Sequence, residues 1–134
     1  MTQDQTTTES RLDRGKRILS AINGGAGDAL AASLADTAPD FARLLYEFPF
    51  GDIYSRPGLD LRSREIATIA ALVTLGNAPA QLRAHIVGGL NVGLSRDEIV
   101  EILMQMAVYA GFPAALNGLF AAKDVFTAID AQKR

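Results

Sequence analysis

Residues 95–111, SRDEIVEILMQMAVYAG, decide the fold class of this chain. Ser95 followed three residues later by Glu98 is the pattern of a capping box, in which each side chain satisfies a backbone N–H at a helix start. Ile99, Ile102, Leu103, Met106 and Ala110 then recur at one-turn spacing, which is one face of an α-helix and no face of a strand. Gly111 stops that helix, and Pro113 opens a last one that is expected to run to about Ala131.

The same punctuation repeats upstream. Residues 62–75, RSREIATIAALVTL, are apolar on every face beyond Glu65, so this helix is expected to be buried all round or to lie in a subunit interface. Gly76 and Asn77 close it. Asn77 is placed to cap the next helix, with Pro79 in its first turn, and that helix runs past His85 to Gly93. In the first half, helices are expected over Glu9–Ile22, over about 28–36, and from Pro39 through Phe48. The stretch 49–60, PFGDIYSRPGLD, holds two prolines and two glycines and reads as an ordered loop. Residues 1–8 are polar and threonine-rich and read as a frayed tail, leaving one domain over 9–134. No alternating apolar pattern of any length occurs, so the fold class is all-α, a bundle with short connections in its second half.

Composition excludes several functions. With 134 residues, 49% hydrophobic and 21% charged, the chain is that of a soluble globular protein. A net charge of −2 leaves no basic field for nucleic acid, and no stretch is long and apolar enough to read as a membrane span. The start MTQDQTTTES lacks the basic and apolar regions of a secretory signal, and the expected compartment is the cytoplasm. There is no cysteine, hence no disulfide, thiolate zinc site, thiol nucleophile or redox pair. One histidine excludes a multi-histidine metal site within one chain, and no spaced carboxylate cluster replaces it, so no metal is expected. Chemistry here would be acid–base and electrostatic.

The candidates for that chemistry are few. His85, the lone histidine, lies one turn before the pair Gly88–Gly89. Two glycines inside a helix cost about 1–2 kcal/mol relative to alanine, so something offsets them. Either a neighbouring helix approaches closely there, or space is kept beside the imidazole for a ligand. Glu65 sits at the mouth of an apolar helix. It is either an ordinary first-turn acid facing the helix dipole or, if buried, a proton carrier. One helix and a tight turn separate Glu65 from His85, so antiparallel neighbours bring the two within reach. Arg56, Arg62, Arg64 and Arg83 are candidate clamps for a carboxylate, whose two oxygens match the guanidinium fork, or else solvated charges. Arg83, two residues from His85, points about 200° away on the same helix. Tyr109 and Asn117 flank the AGFPAA turn and offer hydrogen bonds there, for capping or for a ligand.

Taken together, RPGLD at 56–60, LRAHIVGGLNVG at 82–93, SRDEI at 95–99 and YAGFPAALN at 109–117 resemble the carboxymuconolactone decarboxylase family. FPFGDIYSRPG at 48–58 resembles the loop preceding them, and the likeness covers about 41–126. The resemblance implies an all-α fold shared with alkyl hydroperoxidase D and a homo-oligomer, a hexamer or trimer. It also implies cofactor-independent loss of carbon dioxide from 4-carboxymuconolactone or a related small lactone acid in aromatic-compound breakdown. His85 and Glu65 would then be catalytic, and Arg56, Arg64, Arg83, Tyr109 and Asn117 would bind substrate. A peroxide-reducing branch of the fold needs a Cys-x-x-Cys pair, and Asn77 and Ala80 stand in that region. At Glu65, Val87, Ala110 and Leu116 the chain departs from the decarboxylases, which commonly carry a small polar residue, arginine, cysteine and asparagine there. The same acid–base pair would serve an isomerase, hydrolase or dehydratase of a small acid. A non-catalytic helical accessory protein is the reading in which His85 is simply buried.

Overall fold

The computed structural model describes residues 8–133, and every described element is helical. The polar stretch expected as a tail lies, apart from Thr8, outside the described residues. The chain forms two compact units that divide between Pro57 and Gly58.

The first unit holds α1 (Arg11–Asn23), α2 (Ala26–Leu34), α3 (Pro39–Leu45) and a π-helix (Tyr46–Tyr54). Ser10 caps α1 by accepting from the Asp13 N–H at 3.0 Å, and Gly24 ends it in a positive-φ conformation. The π-helix corrects the loop expected over 49–60. Pro49 has no N–H to give and its ring would clash with the carbonyl one turn back in an α-helix, and the wider π turn accommodates both. What holds this segment helical is not local. Gly15 on α1 and Gly51 on the π-helix let two backbones meet: a Cβ on Gly15 would lie 1.9 Å from the Tyr46 carbonyl oxygen, and one on Gly51 would lie 2.6 Å from that of Arg11. Arg14 Nε donates to the Gly51 carbonyl at 2.6 Å, and Arg11 grips Asp52 through two hydrogen bonds of 3.0 and 2.6 Å. Beside this contact Tyr46 is buried and its hydroxyl donates to Asp28 at 2.9 Å. Burial first, then the Asp28 carboxylate, pushes the phenol up to about 12.

The second unit holds α4 (Leu61–Leu75), α5 (Pro79–Asn91), α6 (Arg96–Gln105), α7 (Ala107–Ala110) and α8 (Phe112–Gln132). Ile69 and Val73 of α4, Leu82 and Ile86 of α5, Leu94, Ile99 and Leu103 of α6 and its approach, and Ala122 and Val125 of α8 form its core. The capping box at Ser95–Glu98 is present in full. The helix expected from there to Ala110 is divided by a turn at Met106, where the N–H of Tyr109 reaches the Met106 carbonyl at 3.2 Å. Gly76 adopts the left-handed conformation (φ 73°) that ends α4, and three residues later α5 has begun. Asn77 does not cap α5. Ala78 occupies that position, with no side-chain hydrogen bond. Nor is α4 covered on every side: Ala67, Ala71 and Thr74 are exposed, and Leu75 is 64% exposed. No helix among the described residues is long and apolar enough to cross a membrane.

Asp60 starts α4, accepting from the Ser63 N–H at 2.7 Å, and that bond, ahead of Arg62, holds its carboxyl below the ordinary value of 3.8. A carboxyl depressed in the folded state stabilises the fold above its unfolded value and loses that contribution as pH falls through the folded one. As pH falls from about 3.8 through the lower folded value, the start of α4 is therefore expected to lose this stabilisation and fray. An Asp60→Asn variant, which keeps the cap without the titration, should show a flatter acid limb in a thermal-melt series from pH 5 to pH 2. An unchanged acid limb would remove Asp60 from the acid response.

Candidate active site

The α4–α5 hairpin builds one polar pair inside its apolar seam. Glu65 lies in the second turn of α4, past the reach of a first-turn dipole role, and is fully buried. Its Oε2 is 2.8 Å from Nδ1 of His85 on α5, whose side chain keeps 18% of its surface exposed. Glu65 Oε1 is buried with no hydrogen-bond partner among the described residues. A carboxylate can only accept, so in that form Glu65 fixes the tautomer: Nδ1 carries the proton and Nε2 carries the lone pair. The result is an imidazole oriented through Nδ1 by a buried carboxyl group, on a side chain that keeps part of its surface exposed.

The glycines beside it resolve in part toward packing. A Cβ on Gly89 would lie 2.9 Å from Leu94 Cδ1 and 3.2 Å from Ile69 Cδ1, so this glycine admits core side chains rather than a ligand. Gly88 is buried as well.

The other candidates are distributed more widely. Arg64, half-buried, is the neighbour of Glu65 along α4. Arg62 is ion-paired with Glu98, tying the start of α4 to the start of α6. Arg83 faces away from the pair, as its helical phase requires, and Nη2 donates to Asp124 of α8 at 3.0 Å. Arg83 and Asn117 both border a cavity of about 360 Å³ between the α4–α5 turn and α8, whose lining includes neither Glu65 nor His85. Tyr109 is 79% exposed on α7. Arg56 belongs to the first unit, just before the division at Pro57. Asp124 was not among the sequence candidates. It lies 41 residues from Arg83, and only the packing of α8 on α5 brings the two together.

Residues 39–124, from the start of α3 into α8, match the carboxymuconolactone decarboxylase family. The chain belongs to that family. Among relatives, the 4-carboxymuconolactone decarboxylase of Acinetobacter baylyi is 36% identical over 94 residues, 70% of this chain and 69% of that protein. The nitrosuccinic acid decarboxylase of Metarhizium robertsii is 28% identical over 124 residues, 89% of this chain and 85% of its own length. An uncharacterized 15.0 kDa protein from the nqo9–nqo10 intergenic region of Paracoccus denitrificans is 28% identical over 127 residues, 94% of this chain and 95% of its own. Within the family this is a member without cysteine, so the Glu65–His85 pair stands without any thiol near it.

Proposed function

We propose that this protein is a cofactor-independent carboxy-lyase whose substrate is 4-carboxymuconolactone or a related small acid, with Glu65 and His85 as its acid–base pair. The observation that carries the reading is the 2.8 Å contact between a fully buried glutamate and the lone histidine, in a chain related to two named decarboxylases.

The chemistry asks little more of the protein than such a pair. When the carbon bearing the carboxylate is conjugated through a double bond to a lactone carbonyl, the C–C bond electrons pass to the carbonyl oxygen as carbon dioxide leaves. The dienolate that remains takes one proton on the carbon α to the carbonyl, which regenerates the carbonyl and completes the product. His85 in its protonated form delivers that proton from Nε2, and Glu65 behind Nδ1 stabilises the imidazolium before delivery. Solvent returns the proton afterwards. Arg64, the arginine next to Glu65 on α4, binds the carboxylate that is retained.

The relative that acts on nitrosuccinic acid supports a broader substrate class of the same logic. There a nitro group takes the electron pair in place of a lactone carbonyl. Both substrates join a departing carboxylate to a strong electron acceptor, and both need one proton returned to carbon.

The test is purified protein with freshly generated 4-carboxymuconolactone, following carbon dioxide release and ultraviolet absorbance, with nitrosuccinate run in parallel. Saturable release from either supports the carboxy-lyase. A folded protein that releases carbon dioxide from neither would overturn it and favour an isomerase, hydrolase or dehydratase. Sedimentation of the same sample would read the proposed homo-oligomer, for which the exposed apolar side chains of Val108, Tyr109 and Phe112 offer a surface.

A further inference from the structure

The cavity between the α4–α5 turn and α8 is not explained by the acid–base pair. Its volume of about 360 Å³ falls in the range of small-ligand sites, at the lower end. Leu72, Val73, Leu82 and Ala121 give it an apolar floor, and Arg83 and Asn117 stand at its rim from α5 and α8. Arg83 is the one charged residue in the lining.

Elsewhere on the surface Arg96 grips Asp130 with two hydrogen bonds of 3.1 and 2.6 Å, and Arg17 grips Glu9 with two of 2.9 and 3.1 Å. Arg83 makes a single bond of 3.0 Å to Asp124, whose side chain is 64% exposed. Arg43 also makes a single bond, of 2.6 Å to Glu47, so what sets Arg83 apart is a loosely held guanidinium placed at a cavity. A one-pronged, solvent-exposed ion pair contributes little and is cheap to exchange for a two-pronged one. One arginine with no second cation suits a singly charged anion rather than a phosphate dianion. The apolar floor asks for a compact hydrocarbon body.

We propose that this cavity is a second ligand site, separate from Glu65 and His85, that binds a small monocarboxylate with an apolar body. Arg83 takes the carboxylate in its fork as Asp124 is displaced. The ring or branched chain rests on Leu72, Val73, Leu82 and Ala121, and Asn117 meets a polar substituent. Because the site shares no residue with the acid–base pair, it stands or falls independently of the decarboxylase reading.

Benzoate is the probe, with benzamide as its uncharged analogue, titrated into the full-length protein and followed by amide chemical shifts and by calorimetry. Saturable shifts are expected at the α4–α5 turn and the first half of α8, with benzamide binding at least about tenfold more weakly. Arg83→Gln should weaken benzoate by about tenfold or more, Ala114→Leu, on the cavity wall, should block it, and Asp124→Asn should tighten it. His85→Gln, which still donates to Glu65, should leave it unchanged. The proposal is overturned by benzoate binding that Arg83→Gln leaves intact, by binding lost in a folded His85→Gln protein, by equal affinity for benzamide, or by no saturable shift at the cavity.

Discussion

His85→Ala is expected to lower the decarboxylation rate by about 10²–10⁴-fold, the usual contribution of a positioned proton donor. The loss should fall on kcat, because the imidazole acts on the carbanion and not on the departing carboxylate. Folding will suffer too: with the imidazole gone, neither oxygen of the buried Glu65 has a described partner, which costs on the order of 1–3 kcal/mol. A His85→Gln variant separates the two effects, since its amide can still donate to Glu65 while carrying no titratable proton. Equal losses in kcat for the alanine and glutamine variants, with stability recovered in the second, are the expected result. Turnover surviving in His85→Gln would take the histidine out of the proton transfer. Glu65→Gln should lower the rate less, since it removes the charge behind Nδ1 but not the donor.

The second large effect is structural. Replacing glycine by alanine inside a helix ordinarily stabilises it by up to about 1 kcal/mol. Gly15→Ala should do the reverse, costing about 3 kcal/mol or more, because its methyl carbon would stand 1.9 Å from the Tyr46 carbonyl oxygen. That atom belongs to backbone and cannot swing aside, so α1 and the π-helix must separate. Gly58→Ala is the control, with nothing within 4 Å of the added carbon and no positive φ, and it should be neutral or slightly stabilising. Thermal unfolding by circular dichroism reads both, and a Gly15→Ala protein as stable as the parent would show that the two backbones are not held in contact.

What could be read from sequence was local and periodic. Ser95 and Glu98 announced their helix because a capping box is written within four residues. Gly76 announced the end of α4 because a left-handed turn has few candidates. The π-helix was hidden because its cause lies elsewhere in the chain: Pro49 and Gly51 signal a break on their own, and only α1, with its own glycine at position 15, makes a helix of them. The division at Met106 was hidden for the opposite reason, since one tightened turn hardly disturbs the apolar period running through it.

The site was legible to the same depth. A fully apolar helix after Glu65 and a tight turn before His85 put both residues on adjacent helices, but the phase that makes them touch depends on where each helix starts. Asp60 begins α4 and Ala78, not Asn77, precedes α5, and neither cap was identified from the residues. Arg83 offers the converse lesson. Its direction away from His85 followed from helical phase alone, while Asp124 and the cavity beside it arise only when α8 packs on α5.

The brevity of the link at Gly76–Ala78 also constrains how this chain can change length. Glu65 and His85 are 20 residues apart, and nearly all of that interval is rigid helix. Adding or removing one residue within either helix would rotate everything beyond it by about 100° and turn the imidazole off the carboxylate. The interval therefore behaves as a ruler: substitutions along it can accumulate, but insertions and deletions belong outside 65–85, at junctions such as residues 24–25 or 55–60.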